Sequence, residues 1–373
     1  MNHHFKLFVF VTLFCSQTLM ALPAPQWSIE NVDKVAPGSR MVQLAFDKTD
    51  KKHLVYTGCS DNRCEQSELF HAQFENNNWV RNSIDSDGGD TGWFPSITFD
   101  LSSVAHIFYA DHDKQVLKYA SNKNSRWAAQ SVGEGRGGWW TSSKSFGNTV
   151  YFAHTKLPKQ GWEAAALEVG TLENGKWSYE IVDGARNAGW FTSMAVLPNG
   201  SPVVSYNSVF SQPVGVVKVA VKKSNRWEIT DIDSSSIKHH VTVDSLGKIH
   251  LVYQKLSSEK GPTHDLMYAT NSSGSWKRSK ISDPNSNQII DSGYFPRVAV
   301  DSQGGVHTAY TTNNDLLIYA RKLSADSSWE FFTVDELGGS MYPWVEMDKT
   351  GQVHIAYERG WNVYVASCTN CSR

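Results

Sequence analysis

Short runs of alternating apolar and polar residues fill this chain, and Leu-rich helical patterning is missing. Tryptophan opens one such run at Trp27, Trp79, Trp127, Trp177, Trp227, Trp276 and Trp329, giving WSIENVD, WVRNSID, WAAQSVG, WSYEIVD, WEITDID, WKRSKIS and WEFFTVD. Asp33, Asp85, Asp183, Asp233 and Asp335 stand six residues beyond five of these tryptophans, where a short carboxylate ends a strand by bonding turn amides. Between the tryptophans lie two more apolar strands, plainest in FPRVAVDSQGGVHTAY, YPWVEMDKTGQVHIAY and HHVTVDSLGKIHLVY. Their connection reads D-x-x-G, with Asp first and Gly fourth as a type I turn prefers. A third strand follows, as in LKYASN, VKVAVK, LMYATN and LIYARK.

Four short antiparallel strands, a to d, repeated seven times predict an all-β fold: a single seven-bladed β-propeller of four-stranded antiparallel blades. Strands a and b are expected near 41–56, 94–109, 140–154, 191–206, 238–253, 295–310 and 342–357. The last unit stops after its third strand, NVYVAS, while WSIENVD begins the chain as an orphan fourth strand. The ring is expected to close by the N-terminal strand completing the last blade, which covers an edge open to foreign strands.

This organisation resembles the sialidase-like superfamily of propellers with degenerate Asp-box or BNR-type repeats, over nearly the whole of 25–373. The c–d turns TNSSGSW and SNKNSRW are similar to Asp boxes but lack the defining Asp. The resemblance implies an arginine triad, a Tyr–Glu nucleophile and an acid/base Asp. The nearest counterpart of the family's F-R-I-P segment is Phe295-Pro296-Arg297, in a different order, and Arg136, Arg186, Arg297 and Arg359 are the guanidinium candidates.

The leader MNHHFKLFVFVTLFCSQTLMALPAP has Lys6, an apolar run shorter than a membrane span and small residues at Ala21 and Ala24. It reads as a signal peptide over 1–24, with no membrane span and a secreted or periplasmic product. Four cysteines then remain, Cys59 with Cys64 and Cys368 with Cys371, expected as two local disulfides on opposite faces; a four-thiolate zinc site is the competing reading. With 35 Lys+Arg against 37 Asp+Glu, no charge excess points to nucleic acid.

Fourteen tryptophans and fourteen tyrosines need a structural or ligand explanation. The segment before strand a repeats as GWFPS (92–96), GWWTS (138–142), GWFTS (189–193) and GYFPR (293–297). The second aromatic, as in Phe94, is expected to wedge between blades. The first, at Trp93, Trp139, Trp190 and Tyr294, is expected to stand exposed on the top face, where pyranose rings stack on aromatics. The next aligned position, Gln43, Ser96, Ser142, Ser193, His240, Arg297 and Trp344, is expected to ring the top mouth of the central channel. The ligand-binding candidates are therefore Trp93, Trp139, Trp190, Tyr294, Arg297, His240 and Trp344. They point to a lectin-like protein whose partner is a glycan or polysaccharide, with a protein partner as another possibility.

An enzymatic alternative is a polysaccharide lyase or a sialidase-like glycosidase acting on acidic glycans. It would draw on His154, which replaces the strand b tyrosine, on His239 and His240 in the unmatched segment IKHHV, and on Arg297. His53, His106, His250, His307 and His354 each lie three residues before that tyrosine and read as framework, bonded to backbone or to a neighbouring blade. No cofactor is called for beyond one weak calcium candidate, Asp85, Asp87 and Asp90, whose alternative is an ordinary acidic turn.

Overall fold

The computed structural model describes residues 23–34, 40–59, 66–86, 89–185, 187–208, 215–257, 263–281 and 292–372. Cys64, Asp87, Arg186 and all but the last two positions of the expected leader lie outside them. Among the described residues there is no helix, and the strands form five four-stranded antiparallel sheets and one seven-stranded sheet. The strands of a unit are laid down side by side in chain order: Thr91–Phe99, Ala105–Asp111, Val116–Ser121 and Ala128–Ser131 make one sheet. The first strands of successive units touch in the order Arg40–Phe46, Thr91–Phe99, Trp139–Phe146, Trp190–Val196, Arg226–Val243, Ser292–Val300 and Ser340–Met347. The last of these touches the first again, so these inner strands surround a common axis. Gln26–Lys34 pairs antiparallel with Asn362–Thr369, placing the orphan strand in the unit that lacked its fourth.

The seven-stranded sheet was not anticipated. Arg226–Val243 runs for 18 residues as the outer strand of one unit and the inner strand of the next. In other copies a glycine with positive φ turns the chain there, Gly92 at 81°, Gly138 at 88° and Gly189 at 86°. A Cβ on these glycines would come within 2.6–2.8 Å of backbone atoms of the preceding unit. Ser236 occupies that place in the merged copy and keeps an extended, paired backbone.

Two polar devices recur beneath the apolar packing. The carboxylate opening each D-x-x-G-type turn accepts two turn amides through Oδ1, as Asp301 does from Gln303 and Gly305, at 2.9 and 2.6 Å. Its Oδ2 meets the framework histidine: His53–Asp47 3.4 Å, His106–Asp100 3.5 Å, His250–Asp244 3.4 Å, His307–Asp301 3.1 Å and His354–Asp348 3.1 Å. The second ring nitrogen faces a third-strand side chain, Tyr119, Tyr268, Tyr319, His71 or Ser367. These histidines bond side chains of their own unit, a correction to the expectation of backbone or neighbouring-blade partners.

The second device joins consecutive units. Tyr56, Tyr109, Tyr206, Tyr253 and Tyr357 donate to Asp33, Asp85, Asp183, Asp233 and Asp335 over 2.6–2.8 Å. A cation completes each group, Arg81, Lys118, Lys218, Lys255 and Arg359 in turn. The aspartate six beyond the tryptophan therefore does more than end a strand.

Side-chain volume is matched closely where the third unit differs. Gly170 lies beneath the Phe152 ring, and a Cβ there would meet Phe152 Cζ at 1.9 Å. Phe152 is itself sandwiched against Phe108 with ring centroids 4.2 Å apart and cannot retreat. Gly170→Ala is expected to cost about 1–3 kcal/mol through overpacking, read as a lower urea midpoint with unchanged m-value; an unchanged midpoint would show that the ring relocates freely.

Candidate functional site

The segments singled out as GWFPS and its copies all open an inner strand, and each contains a bulge. The pairing register slips between Trp93 and Ser96, Trp139 and Ser142, Trp190 and Ser193, Tyr294 and Arg297, and at the matching places in the other three units. At each slip one residue has left-handed φ: Met41 65°, Phe94 52°, Trp140 55°, Phe191 57°, Lys238 47°, Phe295 49° and Tyr342 50°. Such backbone is unfavourable for large side chains and persists only where the surroundings over-determine it. Here the bulge carbonyls are held by the following unit: Thr141 Oγ1 donates to Phe94 O at 2.5 Å, and Thr192 Oγ1 to Trp140 O.

The bulge turns these side chains toward one another around the axis. Phe94 meets Trp140 at 4.0 Å between centroids, Trp140 meets Phe191 at 4.3 Å, and Phe295 meets Tyr342 at 4.3 Å. Lys238 interrupts the aromatics, with its ammonium 4.1 Å from the Phe295 centroid. Phe94 is buried as expected of a wedge, while Trp140, Phe191, Phe295 and Tyr342 are half-buried and line an axial cavity of about 70 Å³.

Six of the seven residues expected to ring the mouth, all but Ser96, line the axial cavity, and four of them have a further duty. Gln43 Oε1 accepts Ile97 N–H at 3.0 Å, Ser142 Oγ accepts Met194 N–H at 2.9 Å, Ser193 Oγ accepts Val241 N–H at 3.1 Å, and His240 Nδ1 accepts Val298 N–H at 3.2 Å. Each is an oxygen or nitrogen acceptor tied to the backbone of the next inner strand. His240 thus departs from the repeat in residue type and keeps its role. It is buried edge-on to Trp344 at 5.0 Å, and burial with the Arg297 charge holds its pKa well below the ordinary imidazole value. His239 is buried beside Ser205 Oγ at 2.8 Å, its pKa pushed down to about 3 by burial first and Arg297 second. Trp344 is 9% exposed.

His154 faces the preceding unit at the place where Gly133 replaces the usual aspartate, and its environment is recast to match. Its Nε2 lies 2.9 Å from Glu168 Oε2, and Lys156 approaches the same carboxylate at 3.3 Å. Glu168 occupies the third-strand place held elsewhere by Lys118 and Lys218, so tyrosine, aspartate and lysine have been exchanged together for an equivalent buried set. Burial alone would raise the Glu168 pKa, and His154 with Lys156 holds it below the usual carboxylate range.

The first aromatic of each loop forms an outer rim. Trp93 is half-buried, donates Nε1–H to Asp90 Oδ1 at 2.8 Å and stacks on His112 with centroids 5.0 Å apart. Trp139 is 9% exposed, a correction to the expectation of an open indole: His112, Phe94 and Trp162 enclose it at 5.0–5.3 Å. Trp190 and Tyr294 are half-buried. Two indoles face solvent among the described residues, Trp361 at 48% in a short turn and, beside this rim, Trp162 at 39%, which no repeat contains. It belongs to the connection between Thr149–Lys156 and Ala166–Glu173, and its ring lies nearly parallel to Trp190, 29° apart with centroids at 6.0 Å. Arg136 pins this loop by donating to Pro158 O and Gly161 O at 2.9 and 3.1 Å, its guanidinium 5.9 Å from the Trp162 centroid. A pattern search over repeats passes over Trp162, and only its place in an unusually long loop could have flagged it.

The arginine candidates do not converge. Arg136 serves the Trp162 loop, Arg359 pairs with Asp335 and stacks over Tyr364, and Arg297 faces the axial cavity. Of the calcium candidates, Asp85 bonds Tyr109 and Lys118, and Asp90 lies near His112 and Asp113. Cys368 and Cys371 form a disulfide, and Cys59 is disulfide-bonded. No described helix is long and apolar enough to cross a membrane.

No protein-family model matches the sequence, and no curated protein matches it. Solved structures do. An ulvan lyase from a new polysaccharide lyase family superposes with a TM-score of 0.61 at 10% identity, covering 90% of this chain and 93% of that one. Aleuria aurantia lectin, in complex with a fucosylated GlcNAc disaccharide, gives 0.51 at 13% identity over 80% and 96%. A Hadza microbial sialidase gives 0.52 at 14% identity over 90% and 66%. At these identities the likeness is one of fold, and the fold is a β-propeller.

Proposed function

We propose that this chain is an exported, lectin-like propeller of seven blades, related to the sialidase-like group, that binds a glycan across the rim of its top face. The cyclic order of seven inner strands supports the blade count. The pairing of Gln26–Lys34 with Asn362–Thr369 supports closure of the ring by the N-terminal strand. The observation that carries the functional reading is the exposed Trp162, stacked parallel to Trp190 on a loop braced by Arg136. A rigid indole pair on an open face offers apolar area to the C–H face of a pyranose at little cost in side-chain entropy. Trp93 and Tyr294 extend the rim as further aromatic surface. The three solved neighbours carry names of a lectin, a lyase and a sialidase, which agrees with a carbohydrate partner.

Binding is preferred to catalysis because the histidines of the enzymatic alternative are buried, each with at least one nitrogen bonded inside the fold. His154 holds Glu168, His239 faces Ser205, and His240 accepts a backbone amide. A general base needs a nitrogen free to reach substrate.

A glycan array followed by titration tests this reading. Trp162→Ala is expected to weaken binding about tenfold or more, with the fold intact by circular dichroism, and Leu246→Ala on the opposite face to change nothing. An array without a saturable hit would end the lectin assignment. Growth of absorbance from unsaturated uronyl ends in the same incubations would replace it with a lyase.

A further inference from the structure

We propose that the axial cavity is a binding site for one small anion, of the size of chloride or bromide, held by Arg297. Arg297 lies at the inner end of its bulge and faces the cavity alongside Lys238, Ser142 and Ser193. Among the described residues no carboxylate lies within ion-pair distance of its guanidinium. Its one hydrogen bond is short-range, from Nη1 to Pro296 O at 3.0 Å, and its buried Nε–H has no acceptor. The Trp344 ring, 5.0 Å away, covers one face of the guanidinium and leaves the buried in-plane Nε–H unanswered.

The surrounding charges sharpen the need. Lys144 approaches from below, within electrostatic reach of His240, and its own charge is matched by Glu346 at 3.3 Å. Burial and the Arg297 charge lower the pKa of both His239 and His240, and an imidazole in either protonation state offers no negative counter-charge. Burial pushes the Arg297 guanidinium down to about 10, which still leaves it charged at neutral pH. Arg297 is half-buried, with its Nε shut off from water; a charge withdrawn from water is stable only when paired, and the buried cations among the described residues, Lys118 and Arg321, each have a carboxylate, Asp85 and Glu330.

Size selects the ligand. The cavity of about 70 Å³ is far below the ~300–1,000 Å³ of sites that enclose organic ligands. It accepts a halide with a few waters and leaves no room for a sugar ring, so this inference goes beyond the rim reading and stands apart from it.

The test compares thermal unfolding of the intact protein in sodium gluconate, chloride and bromide at equal ionic strength. Chloride and bromide are expected to raise Tm by about 2–4 °C over gluconate, as a ligand specific to the folded state does. Arg297→Met should lose the difference and Arg297→Lys keep part of it. Should neither variant fold, the wild-type anion dependence and a bromide-soaked crystal still decide, the latter expected to show an anomalous peak within hydrogen-bonding reach of the Arg297 guanidinium. Equal Tm values in all three salts with no peak would overturn the proposal. So would a shift produced only by methyl glucuronide, which would hand the site to a sugar carboxylate. Glycan binding at the rim is measured separately, so loss of one result leaves the other standing.

Discussion

Between pH 7.5 and pH 5 the protein is expected to lose most of its resistance to urea. His53, His71, His106, His239, His240, His250, His307 and His354 are all buried, and burial lowers each pKa below the ordinary imidazole value. The folded state therefore takes up these protons less readily than the unfolded chain, which binds them near pH 6.5. Stability is therefore complete above that value and drains as pH falls toward the folded pKa. His71 and His239, both pushed to about 3, remain unprotonated at pH 5 and cost roughly 2 kcal/mol each over this interval. Against the roughly 5–15 kcal/mol of an ordinary domain, two such groups are already a large fraction, and six others pull the same way. Below about pH 4 the Asp47, Asp301 and Asp348 carboxylates, whose pKa values the turn amides and histidines lower, add a second loss. Urea titrations at pH 7.5, 6 and 5 measure this. His71→Tyr, which restores the phenol found at Tyr119, Tyr268 and Tyr319, should flatten the dependence. A midpoint constant from pH 7.5 to 5 would refute the account.

Asp85→Ala is expected to be the most damaging single change in the inter-unit device, lowering stability by about 3–5 kcal/mol. Asp85 is 3% exposed and Lys118 is 4% exposed, so deleting the carboxylate strands an ammonium group and the Tyr109 hydroxyl away from water. The diagnostic is the double variant. Asp85→Ala with Lys118→Met removes both charges and should recover more than half of the loss, leaving mainly the tyrosine bond of about 1 kcal/mol. If the double variant is as unstable as the single one, the damage comes from packing and the charge argument fails.

Repetition made the architecture readable. One tryptophan followed by one alternating strand says little, whereas seven copies fix the four-stranded unit, and the leftover strand at one end matched the gap at the other. The framework histidines were recognisable for the same reason, though their partners were not: the bond runs to a turn aspartate six residues earlier, a separation no strand period picks out. The bulges escaped notice because nothing in Phe94 or Trp140 announces a left-handed backbone, and the threonine that holds the bulge carbonyl belongs to the next unit. His240 misled in the opposite sense, since an unusual residue in a repeat can preserve an ordinary bond. Trp162 was invisible because it lies in an insertion, outside the pattern that directed attention to its neighbours.

The pairing of Gln26 with Thr369 also sets a schedule. The strand made first finds its partner 343 residues later, and at roughly 5–20 residues per second of synthesis it waits on the order of 20–70 s with an unpaired edge. Every other sheet can assemble from residues already at hand as the chain emerges; this one cannot. A chain broken off before Asn362 would leave Gln26–Lys34 without its partner, its edge open to pairing with another chain.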